Sequence, residues 1–257
     1  MSTNLFLLEH DANPNAVVSP AANGHFQIPT KCLFLLADDD HFNQFVKRYH
    51  GTKIAHFDTI NKVAIIYRVT YHQTTLAVAQ APLGAPAATM LLDALIYDGA
   101  RTVMAVGSCG ALVTLPENQL LLVASAIRDE GTSFHYLPAA NTIELDQSVR
   151  DSMALSLAKR RLAVTTVMTW TTDGFFRETV AKTQRAQSVG ASVVEMECAA
   201  LAACARFREA NFGQLLYTAD SLANPTDYET RNWGKDGIDA AIEATATCLA
   251  AYPDHSN

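Results

Sequence analysis

Short apolar runs alternate with amphipathic stretches along most of the chain, and the change of period separates strands from helices. Cys32–Ala37, CLFLLA, is apolar throughout and predicts a buried strand, and His41–His50 predicts a short amphipathic helix. Val63–Tyr71 and Thr74–Gln80 read as strands joined by the polar turn His72–Gln73. Pro82–Pro86 leads into a helix over Ala87–Gly99, where glycine stops it. Thr102–Gly107 is a strand that runs into a loop of small residues. Gln119–Ile127, Ala163–Trp170 and Gly213–Asp220 are further strands. Ser148–Arg160, Arg177–Gln187, Glu195–Ala210 and Ile238–Tyr252 are helices. Continuous apolar strands alternating with helices predict an α/β sandwich around a buried sheet. Two early strands in succession make that sheet mixed. Residues 1–30 are polar and rich in Pro and Asn, and read as an arm on the surface or on a neighbouring subunit; residues 1–257 form a single domain.

Composition narrows the class. The chain has 257 residues, 49% hydrophobic and 18% charged, which fits one domain with a sizeable core. Its net charge of −7 comes with no basic stripe, so neither nucleic acid nor an anionic membrane is an expected partner. Five scattered cysteines form no CxxC pair and no Cys/His ligand spacing, so no metal site is expected and reduced thiols in a cytoplasmic protein are. The N-terminus lacks the basic and apolar regions of a signal peptide, and no apolar run is long enough to span a bilayer.

Three loops rich in Ser, Thr, Asp and Gly each follow an apolar strand: VGSCGAL (Val106–Leu112), TWTTDGFF (Thr169–Phe176) and LYTADSL (Leu216–Leu222). Ligands of α/β sheets gather at the carboxyl ends of strands, so these loops can converge on one pocket. Each has a plain structural alternative. Gly107 and Gly110 fit a tight strand-to-helix turn as well as a close backbone approach to a ligand. Phe175 and Phe176 fit core packing as well as stacking on a base. Asp220 fits a cap as well as a general acid. In SVVEMECAAL, Glu195 fits a first-turn carboxylate. Glu197 is harder to place, because an unpaired carboxylate on an apolar helix costs several kcal/mol.

Taken in order, five segments resemble the nucleoside phosphorylase/nucleosidase superfamily, which includes purine nucleoside phosphorylases, uridine phosphorylase and methylthioadenosine nucleosidase. VVEMECAAL resembles the family's VEMExAAL, VGSCGAL its [IV]G[ST]CG[AG], and TTDGFF its S/T-x-D-x-F-Y loop. PLGAPAATMLLDAL resembles GxGxPSxxxxxxEL, and YTADSL the x-[VT]-S-D-x stretch. IRDEGTSFHYLP points to a uridine phosphorylase-like branch. The resemblance implies a three-layer α/β/α sandwich around a mixed, partly barrel-like sheet, assembled as a dimer or a hexamer built as a trimer of dimers, with no organic cofactor. It implies that Glu197 accepts from the ribose hydroxyls, with Met196, Glu195 and Ser108 beside the sugar. Phe175, Cys109 and Gly110 would hold the base, and Asp220 would act as general acid on it. In that branch Arg128, Glu130, Thr132, Ser133 and His135 would lie near the pocket.

One segment departs. Phosphorylases carry GDPxR after the first strand, where this chain has ADDDH (Ala37–His41), and their second arginine falls at Ala105 here. Two readings follow. The chain is a phosphorylase that uses inorganic phosphate as co-substrate and holds it with Ser108, His41, Lys62, Arg68, Arg128 or Arg177, releasing pentose 1-phosphate. Or water is the nucleophile and Asp39 or Asp40 activates it, as an acidic stretch does in methylthioadenosine nucleosidase. The plain alternative is that the aspartates cap the helix that follows. A non-catalytic nucleoside-binding protein is the third class, disfavoured because Asp220 and Glu197 are both present.

Overall fold

The structure, a computed structural model, describes residues 5–60, 62–224 and 226–254. The chain runs β1 (Lys31–Leu35), α1 (Asp39–Arg48), β2 (Thr52–Asp58), β3 (Val63–Tyr71), β4 (Thr74–Gln80), α2 (Ala85–Tyr97), β5 (Thr102–Ala111) and β6 (Leu120–Asp129). It continues through α3 (Ser133–Tyr136), β7 (Thr142–Glu144), α4 (Gln147–Lys159), β8 (Thr165–Thr172), α5 (Val180–Ser188), β9 (Ala191–Glu195), α6 (Cys198–Phe207), β10 (Asn211–Ser221) and α7 (Ile238–Ala251).

The strands form one mixed sheet in the order β10-β6-β8-β9-β5-β1-β4-β3-β2, with β7 on β6. β10 also pairs with β5, so β5, β10, β6, β8 and β9 close into a ring. β1, β4, β3 and β2 extend from it as an open wing. The expected partly barrel-like sheet between helices is what forms. A two-residue period assigns the central strands to two cores. Cys32, Phe34, Val103 and Ala105 face the side covered by α2 and α6. Leu33, Leu35, Met104, Val106 and Leu215 face the side covered by α1, α4 and α7. Each fully buried leucine contributes roughly 1.5–3 kcal/mol. The alanines of α6 keep its profile low, which lets α2 pack closely on it.

Several local expectations differ from the structure. β5 continues through Ser108–Ala111 instead of breaking into a loop, because Gly110 and Ala111 pair with β9. α5 begins at Val180, after a 3-10 turn at Phe175–Arg177, with the Thr179 hydroxyl capping it. The largest difference is at VVEMECAAL. Val193–Glu195 complete strand β9, and the helix starts at Cys198. β2, β7 and β9 were not expected; each is short or half-polar and acquires its identity from its partners. From Leu5 onward the expected arm is mostly exposed, tied down by the Arg208 guanidinium donating to the Pro14 carbonyl (2.8 Å) and by the Ile28 amide donating to Asp98 (3.0 Å). Residues 1–4 of it lie outside the described residues. Among the described residues, no helix is long and apolar enough to cross a membrane.

Candidate active site

A cavity of about 720 Å³ opens at the carboxyl ends of β1, β4, β5 and β10 and takes in the β8–α5 and β9–α6 junctions. The three expected loops do converge there. Ser108, Cys109, Gly110, Phe175, Glu195, Met196, Glu197, Asp220, His41 and Lys62 all line it.

The β9–α6 junction explains why carboxylates sit beside an apolar helix. Glu195 is 7% exposed, and both of its oxygens are occupied. Oε2 accepts from the amides of Glu197 (2.8 Å) and Cys198 (2.7 Å) at the start of α6, and Oε1 accepts from the hydroxyls of Thr171 (2.6 Å) and Thr169 (3.2 Å). Thr171 in turn accepts from the Ala199 amide (3.0 Å). Glu195 thus caps the helix from two residues upstream and ties it to β8. Glu197 is 4% exposed, and its Oε1 accepts from the Gly84 amide at 2.6 Å. No cation pairs with it among the described residues. Gly84 has φ of +91°, a backbone form that an L side chain resists, and this conformation points its N–H at Glu197 from the start of α2. Burial and the neighbouring Glu195 charge push the Glu197 carboxyl up to about 8. Burial also pushes Glu195 upward, opposed by its four donors. The pair titrates together. Glu195 has four donors, two of them hydroxyls, against backbone amides alone on Glu197, so the fold favours the charge on Glu195 over Glu197.

At the other side of the cavity Asp220 ends β10, 7% exposed, with the Tyr228 hydroxyl donating to its Oδ2 at 2.8 Å. Gly110 faces it, and a Cβ there would come within 3.2 Å of Asp220 Oδ1 and 2.8 Å of Leu222 Cδ1. A side chain at this position would therefore displace Leu222 and crowd the Asp220 carboxyl. Glu178, just beyond the Phe175–Arg177 turn, lines the same region; burial and the Asp220 charge push it up to about 7.

The ADDDH stretch places its aspartates unequally. Asp38 lines the cavity, accepts from the His41 amide (3.0 Å) as cap of α1, and pairs with His41 Nδ1 at 2.7 Å. These bonds, the backbone one first, hold its carboxyl below the usual range. Asp39 and Asp40 do not line the cavity. Asp39 is exposed and bonded to Gln80 (2.7 Å), with Lys62 at 3.5 Å, and Asp40 is exposed on the first turn of α1. Arg68 is also away from the site. It pairs in register with Ala77, three positions down β4 from Gln80, and lines a separate depression with Thr30 and Tyr252. Arg128 is turned inward. Its guanidinium donates to Ser133 Oγ (2.8 Å) and to the carbonyls of Pro138 (2.7 Å) and Leu137 (3.1 Å), so it braces α3. Glu130 accepts from the Ser133 amide, and Thr132 and His135 line a second cavity of about 610 Å³ under the arm. Arg177 is exposed and outside the cavity.

Sequence reading missed Glu178, Lys235 and Gln214. Gln214 is 1% exposed, and its amide oxygen has no hydrogen-bond partner. It stands in register with Ala105, where the resemblance calls for arginine, so the β5–β10 pairing was the signal that would have found it. Lys235 makes no ion pair among the described residues, and it follows Gly234, which packs on Tyr217 and Ala219. Among the described residues no group of three or more His, Cys, Asp or Glu is placed to hold a metal ion.

Known proteins are similar to this chain in sequence profile and fold. The profile of the Phosphorylase superfamily matches residues 31–252. A guanosine phosphorylase of Halorubrum lacusprofundi is 22% identical over 198 residues, covering 74% of this chain and 82% of its own. Uridine phosphorylase from Vibrio fischeri superposes with a TM-score of 0.75 at 20% identity, over 89% of this chain and 96% of that one. Futalosine hydrolase of Helicobacter pylori superposes with a TM-score of 0.67 at 18% identity, over 86% and 97%. A profile match over most of the chain, with five motifs gathered around one cavity, places the protein in the Phosphorylase superfamily, a family of nucleoside phosphorylases and nucleosidases.

Proposed function

We propose that the protein is a nucleoside phosphorylase that cleaves the N-glycosidic bond of a purine or pyrimidine nucleoside with inorganic phosphate. The observation that carries this reading is Glu197, a buried carboxyl held by backbone amides alone, with no side-chain donor and no cation among the described residues, facing a cavity across from Asp220. Two sugar hydroxyls supply the donors it lacks, in charge-assisted bonds. Met196 packs on the sugar face and Phe175 on the base. As the C1′–N bond breaks, its electron pair leaves with the base, and Asp220 delivers a proton to a base nitrogen. General acid assistance of this kind contributes about 10²–10⁴-fold. The phosphate oxygen closes on C1′ from the side of Ser108, His41, Lys62 and Lys235, with the Gln214 amide beneath. These groups take the place of the absent arginines. Guanosine phosphorylase activity in the haloarchaeal relative supports phosphorolysis.

One observation favours a second reading, hydrolysis. The Asp38–His41 pair fixes Nδ1 of the imidazole as the bonded nitrogen and leaves Nε2 free to take a proton from water. The water oxygen would then bond to C1′, giving free pentose. The test is base release from inosine, adenosine, guanosine, uridine, thymidine and methylthioadenosine, with and without phosphate. Phosphate-dependent release with pentose 1-phosphate as product supports the proposal. Release at full rate in phosphate-free buffer, lost in Asp38→Asn, supports hydrolysis instead. No release from any nucleoside would defeat both.

A further inference from the structure

Gln214 is a buried amide left short of partners in the wall of the main cavity. It is 1% exposed, and its side-chain oxygen accepts no hydrogen bond among the described residues. Orphan acceptors of this kind are rare, because leaving one unpaired costs the full desolvation of the group. Phe34, Ala105 and Gln214 stand in one row across β1, β5 and β10, and neither neighbour in the row has a side-chain donor. Lys62 and Lys235 line the same cavity. Ammonium groups only donate, so they attract any small oxyanion without telling one from another.

We propose that Gln214 selects a protonated oxyanion, phosphate or arsenate over sulfate, by accepting a hydrogen bond from the anion's own hydroxyl. This rests on the cavity taking phosphate as co-substrate. Every form of phosphate present near neutrality carries at least one P–OH, and arsenate likewise carries As–OH. Sulfate has the same tetrahedral shape and only bare oxygens. A primary amide sets a donor beside an acceptor. The P–O⁻ and P–OH of one phosphate edge match that pair: the first accepts from the amide NH₂, and the second donates to the amide oxygen. Sulfate satisfies the NH₂ alone and turns a lone pair on the amide oxygen, which stays unpaired. A guanidinium or ammonium in place of Gln214 would supply donors only and take either anion. A site built to bond a ligand's hydroxyl rejects the analogue that lacks it, because its own buried polar group is then left bare.

The test is calorimetric titration with inorganic phosphate, arsenate and sulfate, in buffer alkaline enough that phosphate is mainly the dianion and equals sulfate in charge. Wild type should bind phosphate and arsenate alike, and sulfate about 10-fold or more weakly. Gln214→Met fills a similar volume without the amide; phosphate should weaken by about 10-fold while sulfate changes less, so that the preference collapses. Gln214→Lys offers donors alone and should bind sulfate more tightly than wild type does, a gain that misfolding cannot mimic. Wild type that binds sulfate as well as phosphate, or substitutions that leave the phosphate-to-sulfate ratio unchanged, would overturn the assignment and leave phosphorolysis standing. Wild type that binds none of the three anions, alone or with a nucleoside present, would defeat the phosphorylase reading and this assignment with it.

Discussion

The two glutamates of VVEMECAAL are two residues apart and both buried, and the proposed function gives them opposite work that one substitution in each can separate. In Glu195→Gln the side chain keeps its shape and loses its charge. Its remaining oxygen can hold the two α6 amides, and its new NH₂ then faces the Thr169 and Thr171 hydroxyls, which lose their acceptor. A hydrogen bond to a charged group is worth roughly 1.5–3 kcal/mol and a neutral one about 1 kcal/mol. Downgrading several such bonds, offset in part by no longer burying a charge, gives a net loss of about 2 kcal/mol. In a chain of this size that lowers Tm by about 4–8 °C. Nucleoside affinity should change by no more than about threefold, because neither oxygen of Glu195 is free for a ligand.

Glu197→Gln should do the reverse. It replaces a carboxyl that the fold already keeps neutral near pH 7, and the Gly84 amide can still donate to the remaining oxygen, so stability should stay within about 1 kcal/mol. Loss of two charge-assisted bonds to sugar hydroxyls should weaken nucleoside binding by about 10–100-fold. Calorimetric titration with a nucleoside and a thermal melt on each variant suffice. If Glu195→Gln loses affinity as severely as Glu197→Gln while melting like wild type, the division into helix anchor and sugar ligand is wrong.

Other consequences are checked as directly. Gly84→Ala meets open space but must hold φ near +91°, at a cost of about 1–2 kcal/mol, so Tm should fall by about 2–8 °C; where the strain relaxes the amide turns off Glu197, so nucleoside KM should rise as well. Asp220→Asn should cut kcat by about 10²-fold or more and leave nucleoside Kd nearly unchanged; a variant that turns over like wild type would remove Asp220 from the general-acid role. Tyr228→Phe should produce a smaller loss of kcat, as the Asp220 carboxylate loses its donor. Glu197 sets a pH dependence whose sign is fixed. Its folded value of about 8 lies above the unfolded one near 4.5, so the folded chain holds a proton that the unfolded chain sheds between those values. Stability of the ligand-free protein should therefore fall, by at most a few kcal/mol, as pH rises from about 4.5 to 8. Nucleoside affinity should rise over pH 7–9, because sugar hydroxyls donate to the carboxylate; affinity that falls across that window would contradict the assignment.

Much of this was legible before any coordinates. Apolar runs located β1, β3, β4, β6, β8 and β10, since each is buried on a face large enough to need a continuous hydrophobic signal. β9 was invisible because its five residues run straight into EMEC, and propensity favours helix there; pairing with β5 and β8 decides otherwise. The helix starts at Cys198 because Glu195 takes the first amides, a contact that depends on threonines 24 and 26 residues earlier. Phosphate-side residues were the least legible. Arg68 and Lys62 lie six residues apart, but Lys62, just before β3, reaches Gln80 at the cavity end (3.1 Å), whereas Arg68 pairs with Ala77 further down β4. Nothing along the chain ranks them; the register of β3 on β4 does.

Five carboxylates line one cavity in a chain of net charge −7, and that would be untenable if all were bare anions. Each is held in a different way. Glu195 is compensated by helix amides and hydroxyls, and Asp38 by its helix and His41. Asp220 has one phenol donor, Glu197 backbone amides alone, and Glu178 no donor among the described residues. The order of decreasing compensation is also the order of increasing demand for a ligand. Anchors are satisfied by the fold itself, whereas the groups left short of donors face the space where sugar hydroxyls and base N–H groups would enter. Under the proposed function such an acidic pocket recognises a donor-rich, uncharged solute, and Lys62 and Lys235, with the His41 imidazole, mark the part of the cavity wall where a negatively charged co-substrate is tolerated.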